Sequence, residues 1–275
     1  IPSGRAVYTQ WLNARGGIEA DLTVTRIDDD QFLIVTGAAS QARDYYWLRA
    51  HIPNDAHAVA TDVTSGYAVI ALMGPRSRTL LGELTSEDLS PTSFPFGASR
   101  GIDLGYARVR ATRMSYVGEL GWELYIPSEF AVGVYDVIAA AGESHGLVMA
   151  GYHALNSLRI EKAFRHWGHD ISDEDTPLEA GLGFAVDFGK PGGFLVEAAL
   201  LKQAKQPLTR RLLQFLVTDP EPLLYHDEPI WRDDIRVGRT TSGMYGHSLG
   251  GAVGLGYVEH SDGVDDEFVT AGHYT

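Results

Sequence analysis

The sequence contains no cysteine. Disulfide frameworks, thiolate metal sites and cysteine nucleophiles are therefore excluded. Positive charge is also scarce: 22 Lys and Arg stand against 36 Asp and Glu, a formal net charge of −14. Basic clusters are short, such as Arg210-Arg211, so neither a polyanion-binding face nor a nucleic-acid partner is expected. No apolar run approaches the roughly 18 residues of a membrane span. The opening residues, Ile-Pro-Ser-Gly-Arg, lack the charged-then-apolar layout of a signal peptide. A soluble protein without a membrane partner is expected. An initiator Met is missing too, and the last stretch, "DEFVTAGHYT", reads as a strand pair interrupted before its partner. Both ends are therefore expected to be cut from a longer polypeptide.

What remains is enough for a large core: 275 residues, expected to form two domains. The first third alternates polar and apolar residues in "RAVYTQWLN", "IEADLTVTRI" and "QFLIVTG", separated by Gly16-Gly17 and Asp28-Asp29-Asp30. That pattern predicts an antiparallel meander. Ser40 offers an N-cap to a helix over "QARDYYWLRAHI", ended by Pro53, and a strand over "GYAVIALMG" leads through Pro75 into a helix over "PRSRTLLGEL". "YARVRATRMSYV" and "GWELYIP" flank Gly118-Glu119-Leu120-Gly121 and read as a hairpin. Ser128 then offers a cap to a helix over "EFAVGVYDVIAAAGESHG", and another follows in "ALNSLRIEKAF". Strands and helices mixed in this way predict an α+β class. After Lys202 to Pro207 the chain turns to short β runs with Asp and Gly turns and almost no helical periodicity, which predicts a small β-barrel or sandwich.

Three strings imitate known chemistry. Gly246-His247-Ser248-Leu249-Gly250 spells the nucleophile elbow of serine hydrolases. An elbow needs a long helix after the serine, and the glycines of "LGGAVGLGYVEHSDG" oppose one, so a turn beside a β-strand is the expected setting. His166-x-x-His169-Asp170, with Asp173, Glu174 and Asp175 behind it, could be a cluster of metal ligands. No helix clearly presents both histidines on one face, so an exposed polar loop without metal is expected instead. "GLGFAV", from Gly181, lacks the third glycine and the strand-to-helix setting of a dinucleotide fingerprint.

Two carboxylates stand out for their surroundings. Asp21 follows the Gly16-Gly17 turn and shares a strand face with Glu19, Thr23 and Thr25, which by itself describes the solvated side of a half-buried strand. Glu123 lies in "GWELYIP", where Trp122, Leu124 and Ile126 take one face and Glu123 and Tyr125 the other. A carboxylate flanked by aromatics can accept two parallel N–H donors from an amidine-like ligand edge, or simply face solvent.

Four strings together are decisive: "YTQWLNARGGIEADLTVTR", "SYVGELGWELYIP", "LRIEKAFRHWGHDISDEDTPLEAGLGFAVDF" and "EPIW…VGRTTSGMYGHSLGGAVGLGYV". In this order they resemble the tetrahydrofolate-binding, aminomethyltransferase-like region of dimethylglycine and sarcosine dehydrogenases, over nearly the whole chain. That family is related to the T-protein of the glycine cleavage system, and the resemblance implies a fold in which folate lies in a central hole between α+β subdomains and a C-terminal β-barrel. It implies a folate-binding domain over residues 1–206 and a C-terminal barrel domain over 207–275. Of the family's site residues, the aspartate after the Gly-Gly turn falls on Asp21, the pterin-binding glutamate on Glu123 and a pocket tyrosine on Tyr116. Other pocket positions fall on Tyr8, Leu33, Val35 and Phe184, where aromatic and aliphatic groups would sandwich flat rings. The T-protein has an asparagine and an arginine where this chain has Gly37 and Leu155. That departure favours the dehydrogenase branch and leaves the folate glutamate tail without an assigned anchor.

In that branch a flavin domain oxidises an N-methyl amine to an iminium, and the folate domain captures the one-carbon unit as 5,10-methylenetetrahydrofolate. With no flavin fingerprint in this sequence, FAD is expected only on a missing domain or a partner subunit. The resemblance implies a cytoplasmic protein, or a mitochondrial matrix one in a eukaryote. Two alternatives stay open: a folate-binding module that channels the one-carbon unit without chemistry of its own, and a folate-dependent demethylase of another methyl donor.

Overall fold

The computed structural model describes every residue, Ile1–Thr275. The chain is α+β and divides into two compact units. One holds Ile1–Val7 and Leu22–Ala150, the other Tyr8–Asp21 and Gly151–Thr275. No helix is long and apolar enough to cross a membrane.

The expected meander is present as β1 (Arg5–Leu12), β2 (Ile18–Arg26) and β3 (Phe32–Val35), in the order β1-β2-β3. Strands β1 and β2 each contribute residues to both units. Helix α1 (Gln41–Ala50) follows and stops short of Pro53.

The first unit is built on a four-stranded antiparallel sheet in the order β4-β7-β6-β5, from β4 (Tyr67–Met73), β5 (Ser99–Leu104), β6 (Ala107–Thr112) and β7 (Gly121–Pro127). Helices α2 (Ser77–Leu84) and α3 (Ala131–Gly142) supply Leu80, Leu81, Val134 and Ile138 to a core shared with Leu72, Ile102, Val109, Trp122, Leu124 and Ile126. The i, i+4 spacing of Val134 and Ile138 is that of one helix face. Strand β7 alternates as its sequence implies: Trp122, Leu124 and Ile126 are fully buried, which leaves Glu123 and Tyr125 on the opposite face.

Helix α4 (Tyr152–Glu161) and α5 (Glu197–Gln203) open the Gly151–Thr275 part of the second unit. Beyond them β8 (Arg210–Leu216), β9 (Pro229–Arg232), β10 (Ile235–Gly246) and β11 (Gly251–Glu259) form an antiparallel sheet in the order β8-β11-β10-β9. It is barrel-like but not closed, since β8 and β9 are its two edges. Its inner residues Leu212, Val253, Leu255 and Tyr257 pack with Leu12, Ile18, Ile160, Ile171 and Leu200.

Several local expectations are corrected. "DEFVTA" is helix α6 (Asp266–Ala271), not a strand, because the Asp265 side chain caps it by accepting from the Phe268 N–H at 2.7 Å. Only Tyr274 forms a bridge, to Arg232. Strand β6 stops at Thr112, so Tyr116 lies in a loop rather than in the hairpin strand. Neither Ser40 nor Ser128 caps through its hydroxyl: a short 3-10 turn precedes each helix, and Ser128 Oγ donates to the Ser65 carbonyl instead.

Candidate active site

Asp21 and Tyr8 are brought together. The Tyr8 hydroxyl, on β1, donates to Asp21 Oδ2, on β2, at 3.3 Å. Burial first, and the Asp21 charge second, raise the Tyr8 phenol well above its ordinary pKa, so it stays a donor to the carboxylate. Phe184 stacks on the Tyr8 ring with centroids 6.4 Å apart and planes 25° apart, and is itself 79 % exposed. The result is a half-buried carboxylate beside a flat aromatic surface, with one exposed ring able to meet a planar ligand.

Leu33, Val35, Tyr116 and Glu123 belong to the other unit. Leu33 and Val35 lie opposite Thr25 and Thr23 on β2, and are half-buried. Glu123 is held by the residue that strand alternation puts on the same face: the Tyr125 hydroxyl donates to Glu123 Oε2 at 2.6 Å. Burial and the Glu123 charge raise the Tyr125 phenol far above its usual range, which keeps that donor protonated. Each carboxylate oxygen has two acceptor sites, so Glu123 retains capacity for a ligand's N–H groups.

The segment after α4 is the largest departure from expectation. It is not an exposed polar loop, because Asp170 is 1 % exposed and Asp175 5 %. Asp170 accepts from Arg159 Nη1 at 2.5 Å, the Thr241 hydroxyl at 2.6 Å and the His166 N–H at 2.9 Å. Arg159, also buried, gives three further guanidinium donors to Ser242 Oγ at 2.8 Å, the Phe164 carbonyl at 3.0 Å and Asn156 Oδ1 at 3.3 Å. Consecutive strand residues normally point to opposite faces. Here a β-bulge between Thr240 and Ser242 breaks the pairing with β11 and lets both Thr241 and Ser242 reach one ion pair. Asp170 thus accepts two protein donors on Oδ2 and one on Oδ1, and its buried carboxylate is held by them. Gly168, His169, Arg210, Arg236, Arg239 and Tyr257 line part of a polar cleft of about 920 Å³. Some of its charges pair within the protein, Arg210 with Asp175 and Glu259 and Arg239 with Asp227.

The elbow spelling dissolves into a hairpin. Gly246 pairs with Gly251, and His247 to Gly250 form the turn, with Gly250 at φ +75°. Ser248 is exposed, its N–H donates to Glu161 Oε1 at 2.7 Å, and a strand follows it instead of a helix. A fluorophosphonate probe is expected to leave Ser248 unlabelled, and labelling detected there by mass spectrometry would reopen the hydrolase reading.

Residues 1–190 match the GCVT N-terminal domain, and residues 210–273 match the Glycine cleavage T-protein C-terminal barrel domain. The chain belongs to the glycine cleavage T-protein family. It is 42% identical over 98% of its length to 4-methylaminobutanoate oxidase (formaldehyde-forming) of Paenarthrobacter nicotinovorans, and 37% identical over 99% to human mitochondrial sarcosine dehydrogenase. It spans only 32% and 31% of those two relatives. An aminomethyltransferase of Halothermothrix orenii is 33% identical over 98% of the chain and 74% of its own length. The crystal structure of aminomethyltransferase T of the glycine cleavage system from Bartonella henselae superposes with a TM-score of 0.80 at 25% identity, covering 94% of this chain and 69% of that one.

Proposed function

We propose that this T-family chain binds tetrahydrofolate and accepts a one-carbon unit from an iminium derived from an N-methyl amine such as sarcosine or dimethylglycine, yielding 5,10-methylenetetrahydrofolate. Residues 1–206 would form the folate-binding domain and 207–275 its C-terminal barrel domain. The observation that carries the reading is the Tyr8–Asp21 pair, a carboxylate held by a phenol beside an aromatic surface, in a chain of this family. The names of the relatives support the N-methyl amine class: two of them are an oxidase and a dehydrogenase of N-methyl amino acids.

The residues present fit folate. In the second unit Tyr8 and Phe184 would offer an aromatic wall to a flat ring beside Asp21. In the first unit Glu123 would offer a fixed acceptor to the pterin's N3–H and 2-amino group, Tyr116 a further polar contact, and Leu33 and Val35 an apolar one. Bound folate would supply the amine nucleophile. Asp21 would then have two tasks: its charge favours a cationic electrophile nearby, and it accepts the proton released when one folate nitrogen adds to the iminium carbon; closure of the second C–N bond by the other folate nitrogen would expel the demethylated amine, which leaves carrying a proton. Tyr8 donates to Oδ2 and so restricts the rotation of the carboxylate. Oxidation of the amine would fall to a flavin domain in a longer chain or to a partner subunit.

Single-turnover mixing of the full chain with tetrahydrofolate and formaldehyde tests the chemistry, with methylenetetrahydrofolate expected to form faster than in the protein-free mixture. Folate binding without turnover would leave a binding module. For the pterin assignment, Glu123→Ala should weaken folate binding by roughly 10- to 100-fold, the loss of charge-assisted hydrogen bonds. An unaltered dissociation constant in calorimetry would remove Glu123 from the site.

A further inference from the structure

The hairpin that carries Tyr8 and Asp21 is closed by Asn13-Ala14-Arg15-Gly16-Gly17, and this turn is bound to the segment 167–175. Asn13 works in two directions. Its Oδ1 accepts from the N–H groups of Arg15 and Gly17, both at 3.0 Å, and its Nδ2 donates to the Asp173 carbonyl at 2.7 Å. The next residue of the chain to engage is Ile18, the first of β2. Its N–H donates to the Asp175 carbonyl at 2.9 Å, and its carbonyl accepts from Trp167 Nε1 at 2.9 Å.

The two glycines serve different needs. Gly16 has φ +86°, a conformation that suits glycine, whereas Gly17 has no space. A Cβ on Gly17 would run into the Asp173 carbonyl oxygen and Asn13 Nδ2. The segment that receives the turn is itself fixed, by Asp170 in the Arg159 ion pair and by the Asp175 carboxylate, which accepts from Ser172 N at 2.8 Å and Arg210 Nη1 at 2.5 Å. The segment 166–175 is thus tied at one side to the buried ion pair and at the other to the start of the strand that carries Asp21.

We infer that Asn13, Gly17 and Trp167 are positioning residues for the transfer reaction, fixing the place at which the Asp21 carboxylate meets the reacting amine. This rests on Asp21 being the proton acceptor. Ile18 lies three residues before Asp21 on an extended strand, about 10 Å away, so a shift at Ile18 is carried along β2. A misplacement of about 1 Å can cost about 10²-fold in rate. The three residues therefore act on turnover and not on folate affinity.

Trp167→Phe tests this, because it keeps a ring and removes the donor to Ile18. In the full chain the single-turnover rate with formaldehyde and tetrahydrofolate should fall roughly tenfold, with the folate Kd within about twofold of wild type and the protein folded by circular dichroism. In an Asp21→Asn background the same substitution should have no further effect on rate, since nothing is left to position. Gly17→Ala should lower the rate by roughly 10²-fold, and if that variant does not fold, Trp167→Phe decides alone. A wild-type rate for Trp167→Phe, an equal loss in both backgrounds, or a loss of folate affinity in place of rate would each overturn the inference. A wild-type rate for Asp21→Asn by itself would instead remove the proton-acceptor reading, and the positioning role with it.

Discussion

Asp170→Ala is expected to lower the melting temperature by roughly 10 °C, a larger stability effect than any of the site substitutions should have. The argument starts from burial. Asp170 and Arg159 are 1 % and 3 % exposed and form an ion pair at 2.5 Å. Removing one member of such a pair leaves a guanidinium in a low-dielectric interior without its counter-charge, which costs about 3–5 kcal/mol. The Thr241 hydroxyl and the His166 N–H lose their acceptor at the same time. Asp170→Asn should be milder in its hydrogen bonding yet still destabilising, since the amide can accept but cannot neutralise Arg159. Thermal melts by circular dichroism check both variants. If Asp170→Ala melts within about 2 °C of wild type, on a scale of roughly 2–4 °C per kcal/mol, the pair is not a stabilising element.

Asp21→Asn is expected to lower the methylene-transfer rate by roughly 10²- to 10⁴-fold while leaving the fold and the folate affinity near wild type. The substitution is nearly isosteric, and the asparagine carbonyl can still accept from Tyr8, so the local hydrogen bond survives. What is lost is basicity and negative charge, the two properties that the proposed mechanism uses. The informative comparison is therefore rate against affinity. A parallel loss of both would mean that Asp21 binds folate and does not handle a proton, and an unchanged rate would remove it from the chemistry.

Strand periodicity is the most legible part of the sequence. The alternation in "IEADLTVTR" and "GWELYIP" places Asp21 and Glu123 opposite the buried faces of their strands, because a half-buried strand repeats every two residues, but it fails at Thr25, expected on the solvated side with Asp21 and found buried. The same alternation puts Tyr125 beside Glu123, and the hydrogen bond between them follows from that spacing. Elements decided by one local contact are harder to read. "DEFVTA" has β-branched and aromatic residues that favour a strand, but the Asp265 cap and the acidic Asp266 and Glu267 in the first turn favour the helix that forms. Strand β5 and helix α5 are not evident in advance, since "SRGIDL" and "EAALLKQ" are too short to show a period above their surroundings. The segment 164–175 misleads for a deeper reason. Its polar composition signals solvent, but Asp170 meets Arg159 eleven residues earlier and Thr241 seventy-one residues later, and no local pattern announces a partner that far away.

The bulge at Thr241 is also a phase marker. A strand read residue by residue is a two-beat signal, and one extra residue inverts every beat that follows it. In β10 the shift falls between Thr240, opposite Gly256, and Ser242, opposite Leu255, so Thr241 stands between them with no partner of its own across the ladder. The number of residues therefore carries information at this point that their types do not. Deleting Thr241 would leave Thr240 opposite Gly256 and Ser242 opposite Leu255 in a more regular ladder, yet it would take away the hydroxyl that donates to the buried Asp170 carboxylate.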